Sequence, residues 1–189
     1  MTKQKGELMS LPEIWMKGEF NMKTALELRT KIIERAEMGQ EVPIVIYINS
    51  YGGQVDALMS ILDTIDSVPN KVVTVCAGTA MSCGAVLLAY GDERYMGANS
   101  RAMIHQVSSG TFGTNNEIIA TAKEIDKLNS RLAKILADKI GISYEEIMGL
   151  YENNIDKYFT AKEAKKFGLV DHIGVPTLRI TQTVTYEVK

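Results

Sequence analysis

The 189 residues are enough to bury a sizeable core, and with no low-complexity linker they are expected to form a single domain spanning 1–189. Hydrophobic residues make up 46% and charged residues 23%, and a formal net charge of −2 gives no electrostatic reason to expect nucleic acid or an anionic membrane as partner. Cys76 and Cys83 lie in one apolar segment without a CxxC or Cys/His cluster, which excludes a disulfide framework and a zinc site and points to a reducing, cytoplasmic setting with no metal or cofactor.

No charged-then-apolar signal opens the chain, and the longest apolar run, Gly84 to Tyr90, is far short of a membrane span. From Asn21, a candidate N-cap, apolar residues at Met22, Ala25, Leu26, Ile32, Ile33 and Ala36 predict an amphipathic helix stopped by Gly39. The aliphatic run Val42 to Asn49 predicts a strand covered on both faces, broken at "SYGG". "QVDALMSILDTIDS" predicts a helix, and after Pro69 and Asn70 "KVVTVC" predicts a second buried strand. "AGTAM" then reads as a small-residue turn, "SCGAVLLAY" as a short helix apolar on every side, and "SRAMIHQ" as a third strand. The longest helix, about 114–140, opens on Thr114 with Glu117 in capping-box spacing, carries a stripe of Ile118, Ala122, Ile125, Leu128, Leu132 and Ile135, and ends at Gly141. Ser143 with Glu146 and Thr160 with Glu163 repeat the capping box for two shorter helices, the second stopped by Gly168. The tail from Leu178 to Lys189 reads as an edge strand or a partly disordered end. Alternating strands and helices predict an α/β fold.

Ser82 stands where the small-residue turn meets the short helix, and most serines at such a place cap backbone N–H groups. Its neighbours argue for more. Gly78, Thr79 and Ala80 before it, and Gly84 and Ala85 after it, leave room for another chain to approach the hydroxyl. At a helix N-terminus the Cys83 amide could also stabilise an oxyanion formed when Ser82 attacks a carbonyl. A serine nucleophile needs a base, and the chain offers His105, at the end of "RAMIHQ", and His172, in "GLVDHIG"; His105 has the better position, because active-site groups of parallel sheets sit at strand ends. On residue types alone, Asp156 and Asp171 are equal candidates for the acid.

"YINSYGGQVDALMSILDTID", "AGTAMSCGAVLLAYG", "NSRAMIHQ" and "FTAKEAKKFGLVD" together resemble the Clp protease proteolytic subunit (ClpP) family of self-compartmentalising serine peptidases, from about Ile44 to Ile173. The resemblance implies a ClpP/crotonase-type spiral of β-β-α units, with the long helix as a protruding handle. Carried over position by position, it implies Ser82 as nucleophile, His105 as general base, Asp156 as acid, and the amides of Gly53 and Cys83 as oxyanion hole. The second glycine of "SYGG" is expected to be obligatory because a side chain there would obstruct substrate. The implied partners are an unfolded or extended polypeptide, further copies of the chain in a heptameric ring or stacked rings, and a Clp-type unfoldase ATPase. Three alternatives remain: a phage-type head-maturation protease working without an ATPase, a crotonase-like acyl-CoA enzyme, and a non-catalytic shell subunit. The chain departs from the family pattern at Tyr51, where a proline is usual, at Asn154, Ile155 and Lys157 around the acid, at "VSSGTFG" after His105, and in its short segment before "EIWMKGEF".

Overall fold

The computed structural model describes residues 4–5, 11–152, 156–177 and 183–184. Within them the chain runs β1 (Gln4–Lys5), β2 (Ile14–Phe20), α1 (Met22–Ala36), β3 (Ile44–Gly53), α2 (Val55–Ser67), β4 (Val72–Met81), α3 (Cys83–Tyr90), β5 (Glu93–Met96) and β6 (Arg101–Ile104). It continues as α4 (Asn115–Ile140), α5 (Tyr144–Glu152), β7 (Lys157–Thr160), α6 (Ala161–Phe167), β8 (His172–Ile173) and β9 (Thr183–Val184). The fold is mixed α/β, as expected, with six helices around a largely parallel sheet among the described residues. No helix among them is long and apolar enough to cross a membrane.

The sheet is ordered β2-β3-β4-β5-β8, and β4 forks. Its first half, Val73 to Cys76, pairs in parallel with β5, whereas Thr79 to Met81 pair in parallel with β6, which pairs antiparallel with β7. The fork opens at Gly78, whose φ of +118° suits only glycine and where a Cβ would stand 2.8 Å from Asn49 Oδ1. Buried Ser100 fills the gap between the limbs: its hydroxyl accepts from Gly78 N at 2.9 Å and donates to the Cys76 carbonyl at 3.1 Å. "AGTAM" and "SYGG" are therefore strand rather than turn. Small residues there let two strands bend and shift register, between Ile48 and Ser50 on β3 and at Gly78 on β4, instead of ending. Sequence reasoning also missed β2, whose Lys17, Gly18 and Glu19 interrupt the apolar pattern at a register shift, and the four-residue strands β5 and β7, which lack a long apolar run.

Helix α3 is the core of the molecule. Cys83 through Ala89 are all buried, with Leu87 and Leu88 fully so, and truncating either leucine would cost about 2–5 kcal/mol. Each predicted N-cap is made: Asn21 with Thr24, Thr114 with Glu117, Ser143 with Glu146, and Thr160 with Glu163. Backbone hydrogen bonds at those boxes hold the carboxyls of Glu117, Glu146 and Glu163 below their ordinary range. Two apolar stripes are wider than the faces they bury. On α1 the buried face is Ala25, Leu28, Ile32 and Arg35, leaving Met22, Leu26 and Ile33 outward. On α4 burial begins only at Asn129 and continues through Leu132, Leu136 and Ala137, so the first half projects with Ile118 and Ile119 exposed. Of the tail from Leu178, Thr183 and Val184 pair antiparallel with Lys5 and Gln4; the rest of the tail, like Asn154 and Ile155, lies outside the described residues.

Candidate active site

Strand register brings the three candidate side chains together. Met81 pairs with Met103, so the next residue on each strand, Ser82 and Ile104, stand opposite; Ser82 N donates to the Met103 carbonyl at 2.9 Å. Ile104 pairs with Lys157 on antiparallel β7, which sets His105 beside Asp156 one step further on. Three strand ends, β4, β6 and β7, thus deliver a hydroxyl, an imidazole and a carboxylate side by side.

His105 Nε2 lies 2.9 Å from Ser82 Oγ, and His105 Nδ1 lies 3.5 Å from Asp156 Oδ1, within ion-pair reach. The histidine side chain is 24% exposed and the aspartate 46%. Tyr158, two residues along β7, donates its hydroxyl to Asp156 Oδ2 at 3.4 Å, a contact that sequence reasoning missed. Its signal was the Asp-x-Tyr spacing, which puts both side chains on one face of a strand.

Ser82 does not cap α3. Its side chain makes no capping hydrogen bond, and its backbone sits at φ +54°, ψ −121°, the only positive φ of a non-glycine residue among those described. Such a conformation costs of order 1–3 kcal/mol and clusters at functional sites. It turns the hydroxyl off the strand and toward His105, at a strand-to-helix turn like those that expose nucleophiles.

The glycine pair of "SYGG" is required for two different reasons. At Gly52, φ +107°, a Cβ would lie 2.6 Å from Ser82 Cβ and 3.1 Å from its Oγ, so this glycine, not singled out from the sequence, is what lets β3 pass the nucleophile. At Gly53, φ +145°, a Cβ would strike the Phe20 backbone. The expected obstruction of substrate is therefore corrected to a collision with β2. Ser50, buried beneath the pair, accepts from Gly52 N at 3.0 Å and donates to the Gly18 carbonyl, holding the glycines against β2. Tyr51, 77% exposed, points away from this packing.

Gly53, Ser82, Cys83 and His105 open into one cavity of about 480 Å³, whose apolar wall includes Val86, Ile104, Val107, Ile125, Leu128 and Leu132. Gln54 N donates to the Phe20 carbonyl at 2.7 Å, so the Gly53–Gln54 peptide turns its carbonyl away from β2, where the Cys83 thiol meets it at 3.3 Å. Burial pushes that thiol up to about 11 and the Cys76 thiol up to about 12, which keeps both protonated.

The other histidine and aspartate are engaged elsewhere. Asp171 accepts from Arg94 Nη2 at 2.7 Å, Arg94 Nε at 3.0 Å and Arg94 N at 2.9 Å, and this guanidinium holds its carboxyl below the usual range. His172 stacks on Tyr95, ring centroids 4.6 Å apart, with Nε2 3.4 Å from Glu93 Oε1. Neither reaches the cavity.

The chain matches the Clp protease family over residues 2–177. It is 37% identical over 169 residues to the "ATP-dependent Clp protease proteolytic subunit 1" of Leifsonia xyli subsp. xyli, covering 88% of this chain and 85% of that one. It is 39% identical over 162 residues to the "ATP-dependent Clp protease proteolytic subunit 2" of Tropheryma whipplei, covering 85% and 89%.

Proposed function

This chain belongs to the Clp protease family and is a serine-type peptidase; from that premise we propose that it cleaves extended polypeptides through Ser82, His105 and Asp156. The observation that carries the assignment is the 2.9 Å contact from His105 Nε2 to the hydroxyl of a serine held at φ +54° and free of capping.

Ser82 Oγ attacks the scissile carbonyl while His105 Nε2 takes its proton. Asp156, 3.5 Å from Nδ1, selects the tautomer with its proton on Nδ1 and stabilises the imidazolium. The carbonyl oxygen, now negative, sits between the amides of Gly53 and Cys83, the second of which gains from the start of α3. His105 returns the proton to the leaving amine, and a water then hydrolyses the acyl-enzyme by the same steps. The apolar wall of Val86, Ile125, Leu128 and Leu132 takes an apolar side chain next to the scissile bond.

We read residues 1–189 as one peptidase domain working in the cytoplasm inside a homo-oligomeric ring. The exposed half of α4, with Ile118, Ile119 and the fully exposed Phe112 at its approach, supports burial against another copy. The names of both relatives support a Clp-type ATPase as the partner that feeds the chamber. A fluorophosphonate should label the protein at Ser82 alone, and peptidase activity should disappear in Ser82→Ala while the particle mass stays that of a multimer. Full peptidase activity in Ser82→Ala would overturn the assignment, and a monomeric mass would overturn the chamber.

A further inference from the structure

The two amides assigned to the oxyanion hole belong to segments that no ladder joins at that point. β3 and β4 stay paired as far as Ser50 opposite Ala80, and there the pairing stops. Gly53 and Cys83 each lie three residues beyond, so main-chain register no longer sets their separation. A side-chain hydrogen bond spans the gap: Cys83 Sγ donates to the Gly53 carbonyl at 3.3 Å. The Gly53–Gln54 peptide it grips is already held at its other end by the 2.7 Å bond from Gln54 N to the Phe20 carbonyl, so the Gly53 Cα, to which the Gly53 amide is bonded, is fixed from that side.

We propose that Cys83 is a positioning residue for catalysis, its thiol tying the Gly53 carbonyl to the first turn of α3 and so, through the Gly53 Cα, setting the spacing of the two oxyanion-hole amides. The inference rests on the serine-peptidase reading above. Cys83 is suited to the task because it is 2% exposed at the base of a helix whose seven residues from Cys83 to Ala89 are all buried, which gives the donor a rigid mount. Its thiol stays protonated at any working pH, because burial pushes it up to about 11. Gly84 lets that mount approach β3 closely, since a Cβ there would already stand 3.3 Å from the Ser50 carbonyl. A thiol is a weak donor, so the contact contributes little to overall stability. Its effect falls on geometry at the reacting carbon, where small displacements change rates steeply.

The test is steady-state kinetics of the full-length protein on a fluorogenic peptide, with active sites counted by fluorophosphonate labelling. Cys83→Ala should lower kcat by about tenfold with KM changed less than about twofold, because an oxyanion contact acts in the transition state. Fluorophosphonate labelling, whose phosphoryl oxygen occupies the same hole, should slow by a similar factor. Cys83→Ser keeps a donor and should recover kcat to within about threefold of the parent. If Cys83→Ala folds poorly, Cys83→Val, which fills the space without a donor, should show the same kcat loss. Parent-like kcat in Cys83→Ala or Cys83→Val, or an equal loss in Cys83→Ala and Cys83→Ser, would overturn the proposal while leaving Ser82 labelling intact. Absence of labelling in the parent would instead overturn the serine-peptidase reading itself.

Discussion

Each limb of the forked strand β4 ends beside a histidine and an aspartate, yet the two sets do different things. On the β6–β7 limb, His105 and Asp156 line up behind Ser82, and the imidazole faces a hydroxyl that caps nothing. On the β5–β8 limb, Asp171 accepts three hydrogen bonds from Arg94, and His172 stacks on Tyr95 beside Glu93. The residue types are nearly the same and the neighbours are not. An imidazole can act as a base only where its nitrogen meets a proton it can take, and a carboxylate can orient that imidazole only where no guanidinium already holds it.

Replacing His105 by Ala should break this contrast most severely, lowering kcat by on the order of 10⁴-fold with fold and assembly intact, as measured by single-turnover peptide cleavage. Gly52→Ala should come next. It would place a Cβ 2.6 Å from Ser82 Cβ at φ +107°, so kcat should fall by about 10²-fold and thermal unfolding should show a loss of about 1–3 kcal/mol. Asp156→Asn should lower kcat by about 10–10²-fold, less than the loss from His105→Ala, because the carboxylate is half-exposed and 3.5 Å from the ring, so that water can partly replace it.

The β5–β8 limb should answer in stability instead. Asp171→Asn should leave kcat per labelled active site unchanged and lower stability by about 1 kcal/mol, discounted for the 35% exposure of the carboxylate. Arg94 depresses the carboxyl of Asp171, so its contribution is present above the unfolded aspartate value near pH 4 and is lost as pH falls through the lower folded value. A Tm scan should therefore show the gap between the parent and Asp171→Asn closing as pH falls below the unfolded aspartate value. The smallest effect is expected for His172→Gln, which removes one stacked ring and should leave peptidase activity within about twofold of the parent. A large loss of kcat there would show that the two limbs are not as separate as their contacts imply.

Much of the site was legible before the fold. Small residues on both sides of Ser82 marked it out, and His105 followed from its place at a strand end. Asp156 was not legible from residue types, and only the family resemblance separated it from Asp171. Their difference lies in which strand pairs with which: antiparallel β7 beside β6 for one, and the β5–β8 edge with Arg94 for the other. Gly52 and Tyr158 were missed because their roles are steric and cross-strand, made by atoms distant in sequence or on one face of a strand too short to show a pattern.

The amino-acid order by itself determined what can be decided within a few residues: the four capping boxes or caps, the Gly141 and Gly168 helix stops, the buried strands β3 and β4, and the wholly apolar helix α3. These depend on local hydrogen bonds and on periodicity, which neighbours in sequence settle among themselves. Tertiary structure alone decided that "SYGG" and "AGTAM" continue as bent strands, that part of each apolar stripe on α1 and α4 stays outside, and that β4 divides its pairing between two limbs. The helix stripes depend on which elements pack against them, and the strand outcomes on register between strands far apart in the chain, where a shift of one residue would turn the strand side chains to the opposite face of the sheet.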